Sequence, residues 1–223
     1  MPVISRWAGR SAVALAVALS VTACGGGDAP EPKGTDAVSA AALKTCQELF
    51  GENAVDAVRA DLGAEFRSFG LALPDVKSRM LAEARAWTAA KDDLRRVTHR
   101  ACELEGKVDG STWRVSAGVS WSMYDIAYVN AGQGRLRWRT VADGVYVASR
   151  PDIVGTPLVM PCTVPGTLAG QGEELPLQVS VLDKDRGGDR AVSTDQLLKA
   201  LAESTRELLG CAEKVTVPEK LLP

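Results

Sequence analysis

Histidine is nearly missing from this chain, since His99 is the only one in 223 residues. A histidine-dependent triad or metal site would have to be built on that one imidazole, and no recognisable motif surrounds it. No Gly-x-Ser-x-Gly elbow is present, and no two cysteines are spaced Cys-x-x-Cys, which leaves a structural zinc site without support. Charge of one sign is missing too. Lys and Arg total 26 against 28 for Asp and Glu, a balance that gives no reason to expect nucleic acid as a partner. A bilayer-spanning helix needs about 20 apolar residues, and the apolar stretch Ser11 to Thr22 is shorter than that.

That stretch has a different use. Arg6 and Arg10 precede it, no acid accompanies them, and the small residue Ala23 closes it, so residues 1–23 read as a signal peptide. No adjacent arginine pair precedes the apolar stretch, which points to the general secretory route. Val21-Thr22-Ala23-Cys24, followed by Gly25-Gly26-Gly27, resembles the lipobox of bacterial lipoproteins. The resemblance implies cleavage before Cys24, a diacylglycerol on its sulfur, and residence on the outer face of the cell membrane. Two or three acyl chains hold such a protein durably, at roughly 0.8 kcal/mol per buried methylene. The alternative is an ordinary signal peptide cut after Ala23, with Cys24 unmodified.

Loss of residues 1–23 would leave 200 residues and shift the net charge from −2 to −4. Residues 24–37, CGGGDAPEPKGTDA, carry no apolar pattern and read as the lipid attachment point and a flexible tether. Residues 38–223 are expected to form a single extracytoplasmic domain. With 46% apolar and 24% charged residues the chain has ordinary globular composition. Arginines outnumber lysines 17 to 9. In that bias, the lipobox, the tether and the cysteine count, the chain resembles small uncharacterised lipoproteins of actinobacteria.

Apart from Cys24 there are four cysteines, Cys46, Cys102, Cys162 and Cys211, an even number in a compartment where disulfides persist. The favoured pairing joins Cys46 to Cys102 and Cys162 to Cys211, each tying a helix to a strand within its own half; Cys102 with Cys162 is the alternative.

Hydrophobic spacing then gives the elements. Leu43, Cys46 and Phe50 mark a helix ending at Gly51, and Val55, Val58 and Leu62 a second, with Asn53 as cap and Gly63 as stop. Residues 64–72 have no clear pattern. Pro74 suits the first turn of a third helix with Val76, Met80, Ala84 and Trp87 on one face, running past Lys91. From Val97 the period becomes two. Thr98, Arg100, Cys102 and Leu104 alternate with their neighbours, and then Trp113, Val115, Ala117, Val119 and Trp121 form a buried face, with Arg114, Ser116, Gly118 and Ser120 on a wet one.

Residues 123–134 read as a loop, 135–139 as a strand, and Asp143-Gly144 as a hairpin turn. Leu158 to Val164 and Leu175 to Val181 give two further alternating runs. Ser193 and Gln196 form a capping box for a last helix carrying Leu198, Leu201, Thr205 and Leu208. Ala101 to Gly106 and Pro161 to Gly166 echo each other as Cys-x-(Leu or Val)-x-Gly, which suggests two related hairpins. The fold class is therefore α+β: N-terminal helices, a mainly antiparallel sheet from two hairpin-like units, and a C-terminal helix.

Each candidate for chemistry has a plainer competing reading. Glu103 and Glu105 share a strand face and could act as paired carboxylates, or be solvated decoration. Residues 183–189, DKDRGGD, have acids at positions one, three and seven of a calcium loop, but Gly187 and Thr194 stand where acids are wanted; a polar turn is the competing reading. Trp113 and Trp121 could stack a sugar, or be core. Arg135, Arg137 and Arg139 could meet anionic headgroups, or be an exposed strand face. These residues lead to no catalytic, metal or cofactor assignment. The expected function is a membrane-tethered, non-catalytic binding or structural domain that engages an envelope protein or cell-wall component. A carrier of a small apolar ligand, lined from the Trp113/Trp121 face, and a hydrolase of unfamiliar type are the alternatives.

Overall fold

The computed structural model describes residues 33–90, 96–132, 135–150, 155–184 and 190–222. The signal peptide, Cys24 and the first part of the tether lie outside the described residues.

Helix α1 (Lys33–Phe50) begins inside the stretch read as tether, and turns Ala42, Cys46, Leu49 and Phe50 inward. Its link to α2 (Glu52–Leu62) is the single residue Gly51, whose φ of 87° is a conformation open to glycine. Gly51 therefore occupies the cap position expected for Asn53, which lies in the first turn instead. Strand β1 (Ala64–Phe69) follows, in the stretch without a clear pattern. A register shift between Ala64 and Arg67, with Glu65 at φ 60°, breaks the alternation that would have marked it.

Helix α3 (Leu73–Ala86) has Pro74 in its first turn and buries Val76, Met80 and Ala84 as expected. It does not run past Lys91. Trp87 leaves the helix with an extended backbone, its N–H bonds to Ala84 O, and its ring is buried in the core. Residues 91–95 lie outside the described residues.

β2 (His99–Val108) and β3 (Ser111–Trp121) form a hairpin through Asp109 and Gly110, both at positive φ. A bulge between Arg100 and Cys102 puts His99 on the core face and Arg100 outside, so Arg100 does not share the face of Cys102 and Leu104. The presumed loop after β3 contains α4 (Ile126–Asn130), capped by Asp125 Oδ1, which accepts from Tyr128 N at 2.6 Å. β4 (Trp138–Ala142) and β5 (Val145–Ala148) turn at Asp143-Gly144 as read from the sequence. β6 (Thr156–Met160), the short α5 (Gln171–Glu174), β7 (Leu177–Lys184) and α6 (Thr194–Leu209) complete the chain. The Ser193–Gln196 capping box is present, and α6 buries Leu197, Leu198, Leu201, Ala202, Thr205 and Leu209, with Leu208 half-buried.

The seven strands make one sheet in the order β1-β2-β3-β7-β6-β5-β4, every neighbouring pair antiparallel. The fold is α+β. The pairs β2–β3 and β6–β7 are the two hairpin-like units, and they meet through β3 and β7 at the centre. The sequence echo does not mark equivalent positions, since Cys102 lies within β2 whereas Cys162 lies beyond the end of β6.

One core joins the helices to one face of the sheet, with Val115, Ala117, Val119, Trp121, Val179 and Val181 meeting side chains of α1, α2, α3 and α6. A second, smaller cluster holds Val129, Trp138, Tyr146, Ala148 and Val159. On β3, most of the face expected to be wet is not, Arg114 alone staying partly exposed. Ser116 and Ser120 are buried, and a Cβ on Gly118 would stand 2.6 Å from Ser180 Oγ. The alternation was read correctly as two faces, but a face of small residues lets neighbouring groups approach too closely for water to follow.

Candidate functional site

His99 is buried, and its Nε2 stands 2.8 Å from Glu83 Oε1 on α3. The pair joins the start of β2 to the last turn of α3, a strut between layers. Glu103 and Glu105 do share a face, and both are occupied. Glu103 is 6% exposed, with ion pairs to Arg100 Nη1 at 3.0 Å and Arg114 Nε at 3.5 Å, while Glu105 Oε2 accepts from Arg114 Nη2 at 2.9 Å. The Glu105 hydrogen bond, and after it the Glu103 charge, hold the Arg114 guanidinium above its ordinary pKa. Acid–base work needs a carboxyl free to hold and release a proton. A guanidinium seated between these two makes them an ion-pair network.

The calcium-loop candidate divides. Residues 185–189 lie outside the described residues, but Asp183 Oδ2 accepts from Arg190 Nη1 at 2.7 Å and Thr194 Oγ1 at 2.8 Å. Its carboxylate fastens the end of β7 to the start of α6. Among the described residues no group of three or more His, Cys, Asp or Glu side chains is placed to hold a metal ion.

The arginine stripe is not formed. β4 starts at Trp138, Arg137 sits at φ 50° in the turn before it, and Arg139 donates from Nη2 to Leu221 O. Arg135, Arg137 and Arg139 are all exposed, but only Arg139 lies on the strand, because the left-handed Arg137 stands ahead of its start. Trp121 is core, 2% exposed, with Nε1–H donating to Met80 O at 3.0 Å, and Trp113 is half-buried against the same core. Trp121 fills space between sheet and α3 and so is not a stacking platform.

Both cysteine pairs are joined as favoured, Cys46 to Cys102 with Cα atoms 5.1 Å apart and Cys162 to Cys211 at 4.8 Å. The first ties α1 to β2. The second joins two loop positions, one beyond β6 and one beyond the C-cap Gly210 of α6.

No family model, curated protein or solved structure matches this chain.

The densest polar cluster among these candidates surrounds Cys162 and Cys211. Glu213 accepts from Thr163 N at 2.7 Å and Thr163 Oγ1 at 2.6 Å, and Ala212 N donates to Thr163 O at 2.9 Å. Arg206 donates to the Val215 and Glu213 carbonyls. Gln171, fully buried, donates from Nε2 to Cys162 O and Leu175 O and accepts from Val164 N. An open depression of about 400 Å³ adjoins this cluster, lined among others by Asp143, Pro161, Glu213 and Lys214. A second, of about 240 Å³, lies at the ends of α3 and β3 beside Trp87, Arg96, Met123 and Glu174. Near it Tyr124 and Tyr128 stack at 4.7 Å, and Tyr124 meets Trp138 edge-on.

Sequence reasoning missed Gln171, Thr163 and Glu213. Thr163 is an unspecified position of the Pro161 to Gly166 echo, and Gln171 and Glu213 lie in no motif. The nearest signal was the cysteine pairing itself, which brings residues 162 and 211 together and their neighbours with them.

Proposed function

We propose that this chain is a lipid-anchored, extracytoplasmic domain of the cell envelope, non-catalytic, that binds or braces an envelope protein or cell-wall component. Cys24 is its lipid attachment site in this reading, and the outer face of the cell membrane its location. The observation that carries the reading is the use of the cysteines. The four that follow Cys24 are consumed in two disulfides, the pattern of a protein that folds outside the reducing cytoplasm. The N-terminal Val21-Thr22-Ala23-Cys24 sequence supplies the anchor. The titratable candidates support a non-catalytic role, since Glu83 faces His99 and guanidinium groups occupy Glu103, Glu105 and Asp183.

The test is metabolic labelling of growing cells with a clickable fatty acid. The wild-type protein should carry the label and sediment with membranes, and Cys24→Ala should lose both. An unlabelled wild type, or a Cys24→Ala protein that stays membrane-bound and normally processed, would overturn the reading. Crosslinking in living cells then identifies the partner.

A further inference from the structure

We infer that the Cys162–Cys211 disulfide is an exchangeable two-electron redox site, reducible in the folded protein by a dithiol, while Cys46–Cys102 is permanent. The inference does not depend on the anchoring at Cys24. It rests on unequal access and on what holds each joint besides sulfur.

Cys46 and Cys102 are both fully buried, between α1 and β2 in the main core. A reductant reaches them only when helix and sheet separate. Cys162 is likewise buried, but Cys211 is partly exposed, just past the last turn of α6. The depression of about 400 Å³ is lined by Pro161, next in the chain to Cys162, and by Glu213 to Thr216, which follow Cys211; neither cysteine is part of that lining.

The exchange balances within the two partners. A thiolate of the dithiol attacks Sγ of Cys211, forming a mixed disulfide, and Cys162 Sγ departs with the electron pair and takes up a proton. The second thiol of the reductant then attacks its own sulfur in that mixed disulfide. Cys211 leaves as a thiol and the reductant becomes a disulfide.

What distinguishes this joint is that it does not depend on its covalent bond. The Ala212 N to Thr163 O bond and the two-pronged Glu213 contact with Thr163 cross the same two chain segments, immediately beside the sulfurs. Arg206 holds the Glu213 and Val215 carbonyls, and Gln171 holds the Cys162 carbonyl. With the bond open, these contacts keep residues 162 and 211 within reach, so the pair recloses without refolding. A partner of matching chemistry is a dithiol oxidoreductase of the envelope.

The test uses the oxidised full chain under native conditions with limiting dithiothreitol, timed alkylation and peptide mass analysis. Cys162 and Cys211 should become alkylated at least tenfold faster than Cys46 and Cys102, with the far-ultraviolet circular dichroism unchanged. Four cysteines labelling together, Cys46 and Cys102 labelling first, or loss of secondary structure when Cys162–Cys211 opens would each overturn the inference. Glu213→Gln and, separately, Thr163→Val should keep the order of reduction but slow reclosure in oxidised glutathione severalfold. Reclosure at the wild-type rate in both would remove the polar clamp from the account.

Discussion

Two residues, each carrying an oxygen in an unfavourable place, govern distinct parts of the stability of this domain. Thr205 is fully buried on the core side of α6, and its Oγ1 has no hydrogen-bond partner. A buried hydroxyl left unpaired costs about 1–3 kcal/mol, whereas a methyl of the same size costs nothing of the kind. Thr205→Val should therefore stabilise the protein by about 1 kcal/mol, read as a raised urea midpoint at unchanged m-value. Tyr146 carries the second oxygen. Burial, and after it the nearby Asp143 charge, raise its phenol above the ordinary value of 10.0. A phenol whose folded pKa exceeds its unfolded one holds its proton longer when folded. Stability is then intact below pH 10 and falls as pH rises toward the folded value. Denaturant titrations at rising alkaline pH should show that loss, and Tyr146→Phe should flatten it.

At the scale of elements, two glycines separate backbone strain from collision. Gly155, at φ 112°, begins the approach to β6, and a Cβ there would lie 2.2 Å from Val181 O on β7. Gly51, at φ 87°, joins α1 to α2 with nothing within 4 Å of a Cβ. Gly51→Ala meets strain alone and should cost about 2 kcal/mol. Gly155→Ala adds a collision with main chain at the centre of the sheet and should cost about 3 kcal/mol or more, with the β6–β7 amides losing hydrogen-exchange protection. Equal costs at the two sites would show that strand β6 can shift to admit the methyl. The elements that were legible in the sequence are those with unbroken periods: the Val115 to Trp121 face, the Val76-Met80-Ala84 stripe and the capped α6. Those that were not are interrupted by the backbone itself. Glu65 and Arg137 at positive φ and the bulge after Arg100 each shift the side-chain phase, which no tally of apolar residues detects. The partners of the candidate residues were hidden for a related reason. Glu103, Glu105, Asp183 and His99 looked free in one dimension, and the fold supplied each with a partner distant in sequence or across a hairpin.

For the whole molecule the question is what the two disulfides contribute when rate and equilibrium are kept apart. They bridge 56 and 49 residues in separate parts of the chain. Loop-closure entropy acts on the unfolded state and grows only with the logarithm of loop length, so each contributes about 4 kcal/mol. Native access plays no part in that quantity, although it sets the order of reduction. The double variants Cys46→Ala/Cys102→Ala and Cys162→Ala/Cys211→Ala should therefore lose similar amounts in chemical denaturation, within about 1 kcal/mol after allowance for the packing of the first pair. Because the loops do not overlap, the four-alanine variant should lose about 8 kcal/mol. A domain of this size holds about 5–15 kcal/mol in total, so the chain without either bond should be marginal or unfolded near ambient temperature. Circular dichroism melts of the wild type and the three variants decide it. A four-alanine chain that melts cooperatively within a few degrees of wild type would show that the core alone sustains the fold.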